Sequence, residues 1–449
     1  NIKSNGRIMA FKNIRPDEHF GEILVHTFWA MVLLGGTTGL QFVFDLILSN
    51  RFGAEGAGTF YLAFSVMMVL SLIGRLGMDQ AVVRFMTPLL TRNPSAARGV
   101  RRTAVTLCLM ITIPLVLALY LLAPWLANDV FHSPDTTAYF RIFAFGIPAF
   151  SLAYIFSASL KSMKRTREAL SVERAGVYFF GIITQFTLAI LYGLNGLVIG
   201  FVIGIIITSI IGAFNVRRHM PKVKKIIPFS KKTMLLTSLP LLFVAFAMQM
   251  NGQASLLILG STGNSSDVGV FNAALKISML MNLLLAAINT IVATKVSELH
   301  ASNNKSELRK TIEKTSGLGA VLSIPLFLFI TFFSTFLLSL FGNEFTTGSL
   351  TLIVLALGQL VNVCVGSTNY FLAMTGHQKA LAVAIGAGLI INIVTGLWLI
   401  PKYGVLGAGL STAITNITSN VFTVLMVKKY LGTWSLPFVS LLNWARLRN

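Results

Sequence analysis

Charge is scarce in this sequence. Asp, Glu, Lys and Arg together make up 11 % of its 449 residues, whereas hydrophobic residues make up 55 %. A soluble domain usually carries about 25 % charge. No soluble fold of this length hides so much apolar surface while showing water so little polarity. Cysteine is nearly absent. Cys108 and Cys364 both lie in apolar segments, which argues against a disulfide framework and a cysteine metal motif. The usual catalytic signatures are missing as well: there is no GxGxxG beside a strand, no P-loop, no HExxH, and the six histidines are scattered. An enzyme is therefore not expected, and no cofactor is implied. Acidic residues are the rarer sign, 15 against 36 Lys and Arg, for a formal net charge of +21. On a soluble chain that excess would suggest nucleic acid. Here the basic residues sit in short connections between apolar runs, which points to orientation in a bilayer and away from nucleic acid.

What the chain does have is a succession of apolar runs of about 20 residues, the length that crosses a bilayer as a helix. They read as twelve spans, near 24–49, 58–84, 103–127, 138–160, 170–192, 196–216, 233–260, 269–294, 315–340, 348–374, 380–400 and 405–428. The runs are continuously apolar, so barrel strands are a poor reading. The polar segment before the first run carries no small-residue cleavage pattern, and that run reads as a retained helix. Basic residues alternate along the connections. Arg84, Arg92, Arg98, Arg101 and Arg102 follow span 2; Lys161, Lys164, Arg165 and Arg167 follow span 4; "RRHMPKVKKIIPFSKK" follows span 6; Lys295, Lys305, Arg309, Lys310 and Lys314 follow span 8. The intervening connections hold only Arg51 and Lys402. This places both termini in the cytoplasm and supports an even number of spans. The connections on the other side are short. The longest, "NDVFHSPDTT", is too small to carry the acid and base groups of a glycan polymerase or ligase.

Internal similarity appears at an offset of 211 positions. "YGLNGLVIG" (192–200) is matched by "YGVLGAGLS" (403–411), Gly58 and Phe60 by Gly269 and Phe271, and Met163, Ala169 and Leu170 by Met374, Ala380 and Leu381. Six spans per half is an even number, so the halves face the same way, related by an axis along the membrane normal. The expected fold class is an all-α membrane protein of twelve transmembrane helices in two parallel-orientation six-helix lobes. The divisions are a cytoplasmic amphipathic leader at 1–22, an N-lobe at 23–216, a basic linker at 217–232, a C-lobe at 233–428 and a cytoplasmic or interfacial tail at 429–449.

Charges inside spans cost roughly 3 kcal/mol each on insertion scales, so they usually face protein or water. Arg75 and Lys276 are the deepest; Arg141, Arg174, Glu173 and Asp45 lie near span ends, close enough to snorkel. Arg75 and Asp79 are four apart and share a helix face, so a structural pair between them competes with a cavity role. The set is more basic than acidic. A cavity lined by Arg75, Lys276, Arg141 and Arg174 prefers an anion, and phosphate or pyrophosphate is the natural guess. Asp79, Glu173 and Asp45 are the acids available for pairing or ion coupling. Gln249, Asn251, Gln253, Gln359 and Asn362 either line a path for sugar hydroxyls or hydrogen-bond helix to helix.

The stretch "LSNRFGAEGAGTFYLAFSVMMVLSLIGRLGMDQAVVRFM" (48–86) resembles the second-span signature of the polysaccharide transporter family, the Wzx-type flippases. "VGVFNAALKI" (268–277), "NTIVATKVSELHASNNKSELRK" (289–310) and "FGNEFTTGSLTLIVLALGQLVNVCVGSTNYFLAMTGHQK" (341–379) look like the matching stretches of the second half. The family belongs to a superfamily with the multidrug and toxin extruders (MATE) and the lipid II flippases (MurJ). The resemblance implies two lobes shaped like a V. It implies a polyprenyl-pyrophosphate-linked oligosaccharide as substrate, an O-antigen or other surface-glycan repeat unit carried across a bacterial inner membrane by alternating access. It also implies a proton or sodium gradient in place of an ATPase domain, with glycan polymerase and chain-length proteins as partners beside the membrane lipids. Arg75 and Lys276, then Arg141 and Arg174, match the family's basic cavity residues. The lipid tail is expected in a gap between spans 1 and 8. Many relatives carry an acid in span 7 ahead of an LG pair; "NGQASLLILG" (251–260) has none, which leaves Asp79 as the leading acidic candidate. A drug exporter of the same fold, a non-transporting scaffold of a glycan-assembly complex and a scramblase are the competing classes.

Overall fold

The computed structural model describes residues 16–262, 264–301 and 305–436; most of the expected leader and most of the tail lie outside them. Among the described residues every regular element is helical. In chain order these are α1 (Pro16–Arg75), α2 (Met78–Arg92), α3 (Pro94–Trp125), α4 (Thr136–Ala144), α5 (Gly146–Ser162), α6 (Thr166–Leu170), α7 (Gly176–His219), α8 (Lys231–Thr262), α9 (Ser265–Met279), α10 (Met281–Ala301), α11 (Lys305–Phe332), α12 (Ser334–Ser339), α13 (Ser349–Val365), α14 (Thr368–Met374) and α15 (Gln378–Leu431). Local chemistry sets the boundaries. The Asn93 side chain accepts a hydrogen bond from the Ala96 backbone at 3.2 Å, and Pro94 opens the first turn of α3.

Among the described residues eight helices are long and apolar enough to cross a membrane, nine if the bent pair α4 and α5 counts as one span. Twelve were expected. Part of the difference arises where a pair of expected spans has no loop between its members. Each of α1, α7 and α15 is two helices joined across a kink at a single glycine: Gly53 (φ 69°, ψ −173°), Gly193 (φ 59°, ψ −140°) and Gly404 (φ 52°, ψ −125°). A positive φ is costly for any residue with a Cβ. Nothing lies within 4 Å of a Cβ built on Gly404, so the cost there is the backbone's alone. Gly404→Ala is expected to destabilise the protein by about 1–2 kcal/mol, read as a lower thermal unfolding midpoint in detergent. A second departure lies in span 2. It breaks at Leu76 and Gly77, both left-handed (φ 47° and 69°), so α1 ends at Arg75 and α2 starts afresh.

The 211-residue offset recurs in the geometry. A Cβ on Gly196 would overlap the Leu188 carbonyl, and one on Gly407 would overlap the Leu399 carbonyl. Thr184 donates to the Gly200 carbonyl at 2.6 Å, and Thr395 meets the Ser411 hydroxyl at 2.9 Å. Where the halves touch, the contacts are reciprocal. A Cβ on Gly58 would overlap the Ser265 carbonyl, while one on Gly269 would overlap the Ala54 carbonyl. Each half therefore lays the same turn against the other.

Packing differs between the two ends of the bundle. Away from the basic connections one apolar core joins both halves, with Phe44, Phe60, Phe143 and Phe201 from the first and Phe271, Phe341 and Phe345 from the second. Toward the basic end the buried apolar residues separate. Met78, Val100, Leu160 and Val216 belong to one cluster, to which α8 adds Met234; Ile288, Val296, Ile312 and Val427 belong to another. The halves are fused at one end; at the other their buried residues form separate clusters, bridged where α8 crosses α2 so closely that a Cβ on Gly77 would overlap the Ser238 carbonyl.

Candidate functional site

The fused seam is built mainly by α1 against α9. Between Gly35 and Leu48 α1 is apolar except for Thr37, Thr38, Gln41 and Asp45, which recur at helical spacing and so lie on one face. From the second half, α9 brings Asn272 and Lys276, again four apart. Three cavities adjoin here. The first, 300 Å³, is lined by Asp45, Tyr61, Gln249, Gln253, Asn272 and Lys276 together with Phe44, Phe60, Phe64 and Phe201. A second of 150 Å³ lies against Thr37, Thr38, Tyr154 and Glu173. The third and largest, 730 Å³, runs from Thr38 and Asp45 past Lys276 to Asn282, Asn289, Asn362 and Tyr370. Gln41 lines all three.

At their common wall the Lys276 ammonium lies 3.5 Å from one Asp45 carboxylate oxygen. The Tyr61 hydroxyl donates to the other oxygen. The Lys276 side chain is 20 % exposed and the Asp45 side chain 3 %, so the cation faces the cavity and the anion stands behind it. Lys276 also sits 5.9 Å from the Tyr61 ring centroid. Asp45 belongs to one half and Lys276 to the other, so this ion pair crosses the seam. Neither charge is tolerable there alone, because burying one ion without its partner costs several kcal/mol.

The other expected residues are dispersed. Arg75 stacks its guanidinium 3.8 Å from the Tyr154 ring centroid, and it is Tyr154 that lines the 150 Å³ cavity. Arg75 and Lys276 thus line no common cavity among these three. Asp79 follows the helix break; no ion pair joins it to Arg75 among the described residues, and its Oδ1 is buried without a partner. The regular i, i+4 geometry that would have paired them does not exist. Arg141 lies 5.2 Å from the Tyr120 ring and lines none of the three cavities. The Arg174 side chain lies outside the described residues. Glu173, set in a π-helical turn (Ser171–Ala175), pairs with Lys161 and accepts from Ser157 at 2.8 Å. Of the amides, Gln249 and Gln253 line the first cavity, and Gln253 accepts from Ser65 at 2.7 Å across the seam. Asn362 lines the third cavity, Asn251 donates to the Ile385 carbonyl at 3.4 Å, and Gln359 is buried away from all three. Gln41, Thr38, Asn272, Asn282 and Asn289 were missed. The polar stripe in span 1 was the signal for the first two. Among the described residues no group of three His, Cys, Asp or Glu side chains converges to hold a metal ion.

A helical bundle in two halves, joined at one end around a polar seam and built of helices long and apolar enough to cross a membrane, is a multi-pass membrane fold. Solved structures agree on the fold. A lipid II flippase, MurJ, in an inward closed conformation matches with a TM-score of 0.73 at 18 % identity, over 90 % of this chain and 87 % of that one. An inward-facing multidrug resistance MATE family transporter matches at 0.72 and 15 % identity, over 88 % and 94 %. The chain belongs to the polysaccharide biosynthesis protein family, whose model matches residues 23–294, and the MatE model matches residues 240–398. A probable low-salt glycan biosynthesis flippase of Haloferax volcanii is 28 % identical over 169 residues, covering 36 % of this chain and 35 % of that protein. A capsular polysaccharide biosynthesis protein of Staphylococcus aureus is 22 % identical over 192 residues, covering 42 % and 48 %. The chain thus matches less than half the length of either relative.

Proposed function

We propose that the protein is a flippase that moves a polyprenyl-pyrophosphate-linked oligosaccharide from one leaflet to the other by alternating access. The observation that carries this reading is the Asp45–Lys276 pair, an ion pair that crosses the seam and faces adjoining polar cavities. Counting each half of the glycine-kinked helices separately supports twelve spans in lobes 23–216 and 233–428. The basic linker 217–232 joins them, with the basic end toward the cytoplasm. The head group enters from that end. The lipid tail stays in the bilayer beside the third cavity, which lies between spans 1 and 8.

In this mechanism Lys276 exchanges its carboxylate partner for phosphate oxygens. The exchange leaves Asp45 buried and unpaired, and a proton taken up from the same side neutralises it, so that proton and head group cross together. Loading by substrate and loading by the coupling ion are thereby linked through one lysine, and the balanced charge lowers the cost of crossing the low-dielectric core. Gln249, Gln253 and Asn362 meet sugar hydroxyls from the cavity walls. Arg75 and Arg141 act from behind aromatic rings, without touching the head group.

A MATE-type exporter of organic cations is the second reading, favoured by the aromatic lining of the first cavity around Asp45. Full-length protein in proteoliposomes separates the two. A fluorescent polyprenyl-pyrophosphate trisaccharide is expected to change leaflets faster with an imposed pH gradient than without one. Failure of that carrier to move, with gradient-driven movement of an organic cation in its place, would overturn the flippase reading. Movement equally fast in both directions without any gradient would make the protein a scramblase, and absence of any transport would favour a scaffold.

A further inference from the structure

The second half carries a hydrogen-bonded amide relay that ends at the largest of the three cavities. Asn420 of α15 donates through Nδ2 to Asn362 Oδ1 on α13 at 3.1 Å, and Asn362 Nδ2 donates to Asn282 Oδ1 on α10 at 3.1 Å. Asn420 is also anchored to the Asn416 carbonyl at 2.8 Å, so the relay has a fixed origin and a fixed direction. Its last member, Asn282, has its own Nδ2 hydrogens left over, with no protein acceptor among the described residues. Two turns along α10, on the same face, Asn289 places an Oδ1 that is buried without a partner. Both residues line the 730 Å³ cavity, whose other wall carries the Asp45–Lys276 pair.

We infer that Asn282 and Asn289, held in place by Asn362 and Asn420, form a sugar-recognition subsite that selects the glycan of the substrate. This rests on the flippase reading for its biological role, but its chemistry stands alone. A spare donor and a spare acceptor about 10 Å apart along a helix match a chain of hydroxyls, each of which donates and accepts. The relay fixes the rotamer of Asn282 before any ligand arrives, so little ordering is left to oppose binding. Leu283, Leu285 and Ala286 supply apolar surface beside the amides for the C–H faces of sugar rings. An acyl chain is a poor occupant, because it would leave the buried Asn289 oxygen and the Asn282 donor unpaired. Position along the chain sets the order. Lys276 lies nearer the fused end and Asn289 nearer the basic end, so the pyrophosphate binds at the lysine and the sugars extend toward the basic side. A site built to pair with hydroxyls discriminates steeply against a ligand that lacks them.

The test uses full-length protein in detergent and in vesicles. In detergent, free trisaccharide at millimolar concentration is expected to raise the thermal midpoint of the wild type and not that of Asn289→Leu or Asn282→Leu. Inorganic pyrophosphate is expected to raise the midpoint of the wild type and both asparagine variants, but not of Lys276→Ala. Among the described residues nothing donates to the buried Asn289 oxygen, so its variant is expected to keep the fold even where loss of the relay harms Asn282→Leu. In vesicles, Asn289→Leu is expected to lower movement of polyprenyl-pyrophosphate trisaccharide at least tenfold while leaving bare polyprenyl pyrophosphate within twofold. Stabilisation by trisaccharide in wild type and Asn289→Leu alike, or in neither, overturns the subsite. So does an equal loss of movement for both carriers, which marks a structural role. Sugar-dependent stabilisation without movement of any carrier keeps the subsite and sinks the flippase reading.

Discussion

Lys276→Ala is expected to lower transport of the lipid-linked glycan by at least a hundredfold at equal protein level, and adding Asp45→Asn is expected to restore stability without restoring transport. The reasoning starts from the pair's position. Removing the lysine leaves the Asp45 carboxylate buried, with only the Tyr61 hydroxyl still bonded to it. Breaking a buried pair from one side costs about 3–5 kcal/mol. The single variant should therefore unfold earlier, and it should also repel the pyrophosphate that Lys276 would have met. Asparagine at position 45 removes the stranded charge and keeps an acceptor for Tyr61. The stability term then largely cancels in the double variant, while the anion still lacks its cation. Asp45→Asn alone gives the complementary phenotype. Lys276 is freed from its intramolecular competitor, so pyrophosphate binds more tightly, but the proton site is gone and the pH gradient no longer accelerates transport. Thermal midpoints for the four proteins, combined as a double-mutant cycle, measure the coupling. Proteoliposome flux measures the function. Full transport by the double variant would remove Lys276 from the substrate's path.

Much of the architecture was legible because it is carried by composition and spacing. Apolar length marks a span, and that signal survives ignorance of packing. The 211-residue offset was visible in a few glycines, and those glycines do matter: Gly193 and Gly404 share one unusual backbone geometry, and Gly58 and Gly269 let the halves cross closely. The contents of the seam were less legible. Depth along a span gives the height of a charge in the bilayer, not the direction in which its helix face turns. Depth places Arg75 beside Lys276, yet Arg75 stands behind Tyr154 in the first half, next to a helix break that spacing alone does not reveal. Distance from a span end says nothing of Asp45's partner, which comes from a helix 231 positions away. The more reliable signal was the polar stripe Thr38, Gln41 and Asp45 within an apolar run. Asn282 and Asn289 follow a short break after α9, so they carry the face of a helix whose rotation the sequence does not specify.

Oxidation of a Ser133→Cys/Ser265→Cys protein is expected to stop transport almost completely, and reduction to bring it back. Ser133 and Ser265 belong to different halves, and their hydroxyl oxygens are 3.1 Å apart, so sulfurs at these positions need approach by only about 1 Å to bond. Around them the fused end is held by few polar contacts. The Glu344 carboxylate accepts from the Ala54 backbone at 2.7 Å, and Asn50 donates to the Leu340 carbonyl at 2.7 Å, both between halves. Position 344 is the 211-residue counterpart of position 133, and 265 that of 54, so the two clasps are one contact used twice. If the halves rock, the fused end must part once in every cycle, and these few bonds together with the Gly58–Gly269 crossing are what must yield. A covalent tie at Ser133 and Ser265 blocks that step while leaving the cavities and Lys276 untouched, so substrate binding should persist as flux disappears. Cys108 and Cys364 are replaced first, because they are free thiols. Undiminished flux through the tied protein would mean that the fused end never opens, and then the head group must leave by a route along the membrane face of the seam, with no rocking of lobes at all.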